Sequence, residues 1–314
     1  MELRCYRNGD EEVVVGLWNA RICGCYATGP LTTERFAADV VAKRYFEPEG
    51  LILGFERGRL VAFVHAGFKS ADYIQPDYRL GTIAMVGMEA DHAAAGEAAM
   101  AEAIRHLLRR GAKQVEAFTI DFPNTPFYNG LYGGEKAGMD EDHPGGLELM
   151  RRCHFKITNG AVIMVCDLNA EPEPLTVPDG LQFRVGPWDS PLQGRTATEC
   201  YGIPEPMRRA QLLDKAGKEM AGISFWNLER HNQATGRRMA VVTHVGTAPE
   251  LRGGGASLAL QREVHRILMR EGATLMGLGT GGGNGRAVRF YEKLGYRACK
   301  TAYYFHLDWR HYPK

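Results

Sequence analysis

Pro249-Glu250-Leu251-Arg252-Gly253-Gly254-Gly255-Ala256-Ser257 is the stretch of this chain best suited to chemistry. It lies between a β-branched run (Val241, Val242, Thr243, Val245, Thr247) and a segment of helical periodicity (Leu258, Leu260, Val264, Ile267, Leu268). A strand that turns through glycines into a helix makes an anion cradle. The first amides of the helix lack an intrahelical acceptor and carry the positive end of the helix dipole. Gly253, Gly254 and Gly255 let phosphate oxygens approach the backbone, and Arg252 adds a fixed positive charge. This spacing calls for a small ligand with a pyrophosphate.

Two familiar phosphate loops are excluded. No Lys-Ser or Lys-Thr follows Gly255, and the dinucleotide pattern G-x-G-x-x-G fails because Leu258 stands at its last position. What fits is Arg-x-x-Gly-x-Ala in a strand-to-helix turn, followed about thirty residues on by Asn284-Gly285-Arg286-Ala287-Val288-Arg289-Phe290-Tyr291-Glu292-Lys293-Leu294-Gly295-Tyr296. Together the two blocks resemble the acetyl-CoA motif and the Asn…Phe-Tyr-x-x-x-Gly-Tyr motif of the GNAT superfamily of N-acetyltransferases.

The resemblance implies a strand splayed from its neighbour at Val245-Gly246-Thr247, where backbone groups pair with the pantetheine arm and one N–H meets the thioester oxygen. Gly246 is the expected bulge there. Residues 252–257 would wrap the diphosphate, with Ala256 and Ser257 opening the helix. Asn284 would contact the pantetheine arm, and Tyr291 would protonate the leaving thiolate, provided it is held in place, since phenol and thiol differ in pKa by more than a unit. For the base, His244 is the titratable group on the strand nearest the turn, and an ordinary imidazole pKa suits neutral pH. Strict alternation puts it on the face opposite Thr243 and Val245 unless a bulge resets the register. Glu229, His231 and water are other candidates.

The elements that must position these residues come in two sets. With 314 residues the chain has room for two domains. The run 168–180, with three prolines and a closing Asp179-Gly180, reads as an extended, solvated linker. It divides a first domain, 1–167, from a second, 181–314. Before it we expect strands at 51–56, 59–68 and 81–88, a helix at 93–110 and a strand at 114–120. After it come strands at 222–228 and 239–247, a helix at 256–270 and a strand at 274–278. Helices are expected at 196–201 and 205–215, a hairpin turn at 232–236, and an acceptor-side loop at 201–204.

The expected fold class is α/β (α+β): two tandem GNAT-like domains, each with a mixed, mostly antiparallel sheet flanked by helices. Aligning Gly111-Ala112 with Gly272-Ala273 sets Asp91 in place of Arg252, and His92, Ala93 and Ala94 in place of the glycines. Met150 stands in place of Tyr291. A carboxylate where a diphosphate should lie is unfavourable, so the first half reads as a degenerate copy that scaffolds the substrate cleft. In this layout the chain is similar to mycothiol synthases, without their substrate being implied. The insertion 125–146, rich in tyrosine and glycine, either lines the acceptor pocket or seals the seam between halves.

The resulting expectation is acetyl transfer from acetyl-CoA, as co-substrate, to a primary amine in a ternary complex formed by the second domain. A longer acyl donor, or a non-catalytic acyl-CoA sensor, are the alternatives. A formal net charge of +1 gives no case for nucleic acid or for a strongly acidic acceptor. No apolar run is long enough to span a membrane, and no signal peptide is visible at the N-terminus. Seven cysteines without zinc spacing, Cys23 and Cys25 among them, read as reduced thiols and no metal site. The chain is therefore expected to be cytoplasmic, a monomer or homodimer acting on a small-molecule or peptide amine.

Overall fold

The computed structural model describes residues 1–22, 29–43, 46–69, 76–118, 138–188 and 206–308. The chain forms two compact units, Met1–Ala161 with the stretch from Thr301, and Val162–Lys300.

In the first unit β1(Glu2–Cys5), β2(Leu51–Glu56), β3(Arg59–Phe68) and β4(Leu80–Met88) form an antiparallel run. Arg57 and Gly58, both at positive φ (49° and 76°), make the tight turn between β2 and β3. The helix α1(Glu11–Arg21), the short α2(Thr33–Phe36) and α3(Ala93–Arg109) accompany this sheet, and β4 pairs in parallel with β5(Gln114–Ala117). A two-residue strand β6(Met139–Asp140) and a short helix α4(Gly146–Arg152) follow. Gly111, at φ 105°, ends α3 at the stop expected from Gly111-Ala112.

The division into units passes through β7(Phe155–Asp167) and β13(Arg297–Leu307). Here the structure departs from the expected boundaries. Phe305 and His306 pair with Ala117 and Glu116 of β5, so the last strand completes the sheet of the first unit. The linker expected to separate the domains lies inside the second unit and is not solvated throughout. Leu175 N–H donates to the buried Glu263 carboxylate at 3.1 Å, and Glu171 pairs with Arg270 at 2.6 Å.

The second unit orders its strands β7-β12-β11-β10-β9-β8, with β8(Gln182–Pro187), β9(Arg208–Leu213), β10(Glu219–Asn227), β11(Met239–Thr247) and β12(Leu275–Gly281). Pairings from β8 to β11 are antiparallel and β11–β12 is parallel. Between β11 and β12 runs α6(Ala256–Arg270), whose Leu260, Val264 and Leu268 repeat every fourth residue. That stripe packs on Ala210, Leu212, Ile223, Phe225, Ala240 and Val242 of the sheet. The helix α7(Gly285–Glu292) follows β12.

Two expectations are corrected here. Residues 208–213 form a strand, not part of a helix: Ala210 and Leu212 alternate inward against Arg209 and Gln211, and pairing with both neighbours outweighs local helix propensity. The second unit therefore has four antiparallel strands in succession, β8 to β11. Residues 232–236 are no hairpin turn but the end of α5(Glu229–Thr235), closed by Gly236 at φ 69°. The helix expected at 196–201, the loop 201–204, Cys23, Cys25 and most of the 125–146 insertion lie outside the described residues.

Candidate active site

Strands β11 and β12 start as a ladder and then part. Met239, Ala240 and Val241 pair with Leu275, Met276 and Gly277, and no pair follows, so the later part of β11 offers one backbone edge to a ligand. On its other edge β11 carries a bulge. Gly222 pairs with Gly246 but Ser224 with Thr243, leaving one extra residue on β11. The residue in the left-handed region is His244, at φ 48°, and not Gly246 as expected. For a side chain of this type that conformation costs about 1–3 kcal/mol. The bulge resets the register that strict alternation assigned to His244, whose ring packs on Trp188 at 4.5 Å between centroids.

The loop 248–255 then turns into α6. Gly253 and Gly255, at φ 84° and 82°, adopt conformations that side chains disfavour, and Gly255 is the N-cap. No side chain caps α6, and its first bond to Gly255 comes from the amide of Ala259 at 2.9 Å. The preceding amides are left to a ligand. Arg252 Nε donates to Thr247 C=O at 3.2 Å, which fixes the guanidinium beside the mouth of the splay.

These groups open on one cleft of about 750 Å³, lined by Val245, Gly246, Thr247, Arg252, Gly253, Gly255, Ser257, Asn284 and Tyr291, among others. Nine expected site residues are thus brought together. Gly254 shapes the loop without lining the cleft, Ala256 is buried beneath it, and His244 stands outside its wall. Asn284 also acts on the backbone: its side chain accepts from Ala287 N–H at 3.1 Å and caps α7. Tyr291 is buried, with its ring edge-on to Tyr296 at 5.6 Å.

Sequence reasoning missed Arg286, Arg289 and Lys293, which also line the cleft. Their spacing of three and four residues puts them on one face of α7. With Arg252 they give the wall four cations, and it contains no carboxylate. Among the described residues none of the four is ion-paired, so this charge is available to an anion. Exposed amides, a cationic rim and the cleft's size suit coenzyme A, whose phosphates carry several negative charges.

At the corresponding place in the first unit, described side chains stand close to β4. Only residues 89–92 join β4 to α3, half the length of the loop 248–255. His143 Nε2 lies 3.0 Å from the Val86 carbonyl on β4, occupying a backbone group on that strand. Met88, Met139, Leu149 and Met150 are buried around it. A Cβ on Gly96 or Gly145 would fall within 2.4 or 2.7 Å of Met88.

Comparisons with known proteins bear on the family and the fold. Residues 192–296 match the sequence model of the acetyltransferase (GNAT) family. No curated protein sequence matches the chain. Among solved structures, a GCN5-related glucosamine N-acetyltransferase region of a fungal multi-domain GH3 β-N-acetylglucosaminidase aligns over 98% of this chain and 38% of its own, with 15% identity and TM-score 0.66. A tandem GNAT protein from the clavulanic acid biosynthesis pathway aligns over 97% of both chains, with 14% identity and TM-score 0.66. A GCN5-related N-acetyltransferase from Sphaerobacter thermophilus covers 97% of this chain and 94% of its own, with 13% identity and TM-score 0.63. The chain thus spans little more than a third of the fungal protein and nearly all of the other two. Residues 192–296 thus carry the sequence pattern of the GNAT acetyltransferase family, in a chain with the fold of tandem GNAT proteins.

Proposed function

We propose that the second unit transfers an acetyl group from acetyl-CoA to a primary amine, and that the first unit is a degenerate copy that binds no acyl-CoA. The observation that carries this reading is the coincidence, in one cleft, of a parted strand edge, an uncapped helix and an acid-free cationic wall.

In the reaction the amine nitrogen forms a bond to the thioester carbonyl carbon, the carbon–sulfur bond breaks, and the sulfur leaves as thiolate. The amides of Arg252 to Ser257 and the Arg252 guanidinium hold the diphosphate. The backbone of Val245 to Thr247 holds the pantetheine arm and donates to the carbonyl oxygen as charge develops there. Tyr291 supplies a proton to the thiolate, and His244 takes the proton that the amine loses. In support of this role, His244 sits at the bulge of β11 and directly precedes Val245, which lines the cleft.

Thiol release from acetyl-CoA, measured over a panel of small amines and peptide N-termini, tests the reading. Turnover with at least one amine is expected, and thermal stabilisation by acetyl-CoA with no release above background would make the protein a sensor.

A further inference from the structure

We propose that Arg209 is a positioning residue that clamps the bulge of β11, and so sets the backbone edge against which the acyl group is polarised. This deepens the reading just given and rests on it.

Two irregularities occur in neighbouring strands. On β10, Glu219 pairs with Leu213 and Ala221 with Leu212, so Met220 is an extra residue. Ala221 and Ile223 face the core under α6. Simple alternation would put Glu219 on that apolar face too. The extra residue turns it to the opposite face, the one that carries Arg209, Gln211 and Ser224. On β11 the second bulge puts His244 in a left-handed conformation.

Arg209 joins the two. Its Nε donates to Glu219 Oε2 at 2.8 Å and its Nη2 to Oε1 at 2.5 Å, a bidentate pair. Its Nη1 donates to Ser224 Oγ at 2.8 Å and to His244 C=O at 3.2 Å. One rigid fork therefore spans three strands and holds the carbonyl of the bulged residue itself. Gln211 Nε2 steadies the same carboxylate at 2.6 Å, and Trp188 lies against both Arg209 and the His244 ring. The hydrogen bond from Arg209 keeps the Glu219 carboxyl below its usual range, so the pair stays ionised at neutral pH.

Gly222 gives a second, independent sign. It sits opposite Gly246 at the bulge, and a Cβ there would come within 2.3 Å of Glu219 Oε1 and 2.5 Å of Arg209 Nη2. Its φ is not in the left-handed region, so what a side chain here would disturb is the ion pair, which would have to shift. A lysine could reach Glu219 as a point charge but could not serve the carboxylate, Ser224 and the His244 carbonyl together.

The test uses the full chain, acetyl-CoA labelled with 13C at the thioester carbonyl, and three variants: Arg209→Lys, Arg209→Met and Gly222→Ala. Calorimetry gives affinity, and isotope-edited infrared gives the frequency of the bound carbonyl. We expect the wild-type band to lie below that of free acetyl-CoA. Each variant should lose more than half of that displacement while its Kd stays within about threefold of wild type. With an amine that the wild type acetylates, kcat should fall on the order of 10- to 100-fold with the KM for acetyl-CoA little changed. Variants that retain the full displacement, or a wild-type band that is not displaced, would overturn the proposal. Failure of the wild type to bind acetyl-CoA at all would instead overturn the functional reading beneath it. Gly222→Ala perturbs the clamp without deleting a charge, so the question stays answerable should Arg209→Met fold poorly.

Discussion

On the proposed reading Arg252 serves binding and Tyr291 chemistry, and single substitutions separate the two. Arg252→Glu sets a negative charge against the diphosphate and removes the hydrogen bond to Thr247 C=O. Stabilisation by coenzyme A in a thermal melt should disappear, and an unchanged affinity would remove this loop from the site. Tyr291→Phe keeps the ring that packs on Tyr296 and deletes only the hydroxyl. Turnover should fall roughly 100-fold with acetyl-CoA affinity retained, which a comparison of single-turnover rate with Kd would read directly. The residues of this site were legible for a physical reason. Glycines at positive φ and an uncapped helix start leave a local signature, and the second block, with Asn284 and Tyr291, follows at a recognisable distance. His244 was placed at the right strand position, but its backbone was not foreseen. A bulge depends on what the neighbouring strand does, and Gly222 and Ser224 lie some twenty residues away in sequence.

At the scale of elements, α7 joins the strand splay to the cationic rim. Asn284 caps it, and Arg286, Arg289 and Lys293 form a stripe along its cleft side. If the amides of α6 hold the diphosphate as proposed, this stripe is left for the outer phosphate of coenzyme A. Replacing Arg286 and Arg289 with glutamate should weaken coenzyme A by roughly 10-fold while leaving dephospho-coenzyme A much less affected. Equal losses for the two nucleotides, measured by calorimetry at fixed ionic strength, would count against that role. Regular elements with a strong local pattern were read closely: β2, β3, β11 and α6 have the expected limits. The errors fell where tertiary pairing overrides propensity. Arg208–Leu213 is rich in helix formers, yet lies between two strands whose hydrogen-bond edges need a partner. Nor does local pattern reveal that the last strand pairs with β5, a contact between residues nearly two hundred positions apart.

At the scale of the whole molecule, the two units repeat one plan with unequal outcomes. In the first, the loop joining β4 to α3 is only 89–92 and the His143 ring occupies Val86 C=O, which supports the proposal that this unit takes no pantetheine. Acetyl-CoA should titrate to one molecule per chain. Among the described residues burial lowers the pKa of three histidines, His65 and His143 in the first unit and His265 in the second. Burial first, and then the nearby His106, lowers the pKa of His65 to about 3. Burial first, with Arg262 adding repulsion, lowers that of His265 to about 4. Unfolding frees each to take up a proton near pH 6.5. Their contribution is therefore complete above that value and is lost as the pH falls toward 4, by up to about 1.4 kcal/mol per unit for each histidine. Urea midpoints measured between pH 7 and 4.5 should decline accordingly. A flat profile would mean that the rings are protonated in the folded state.

The most direct measurement is the crystal structure of the full chain soaked with saturating acetyl-CoA. Density for the diphosphate is predicted against the amides of residues 252–257, with the thioester carbonyl at the parted edge beside Val245. Density beside His92 in the first unit, or none in either unit, would contradict the account.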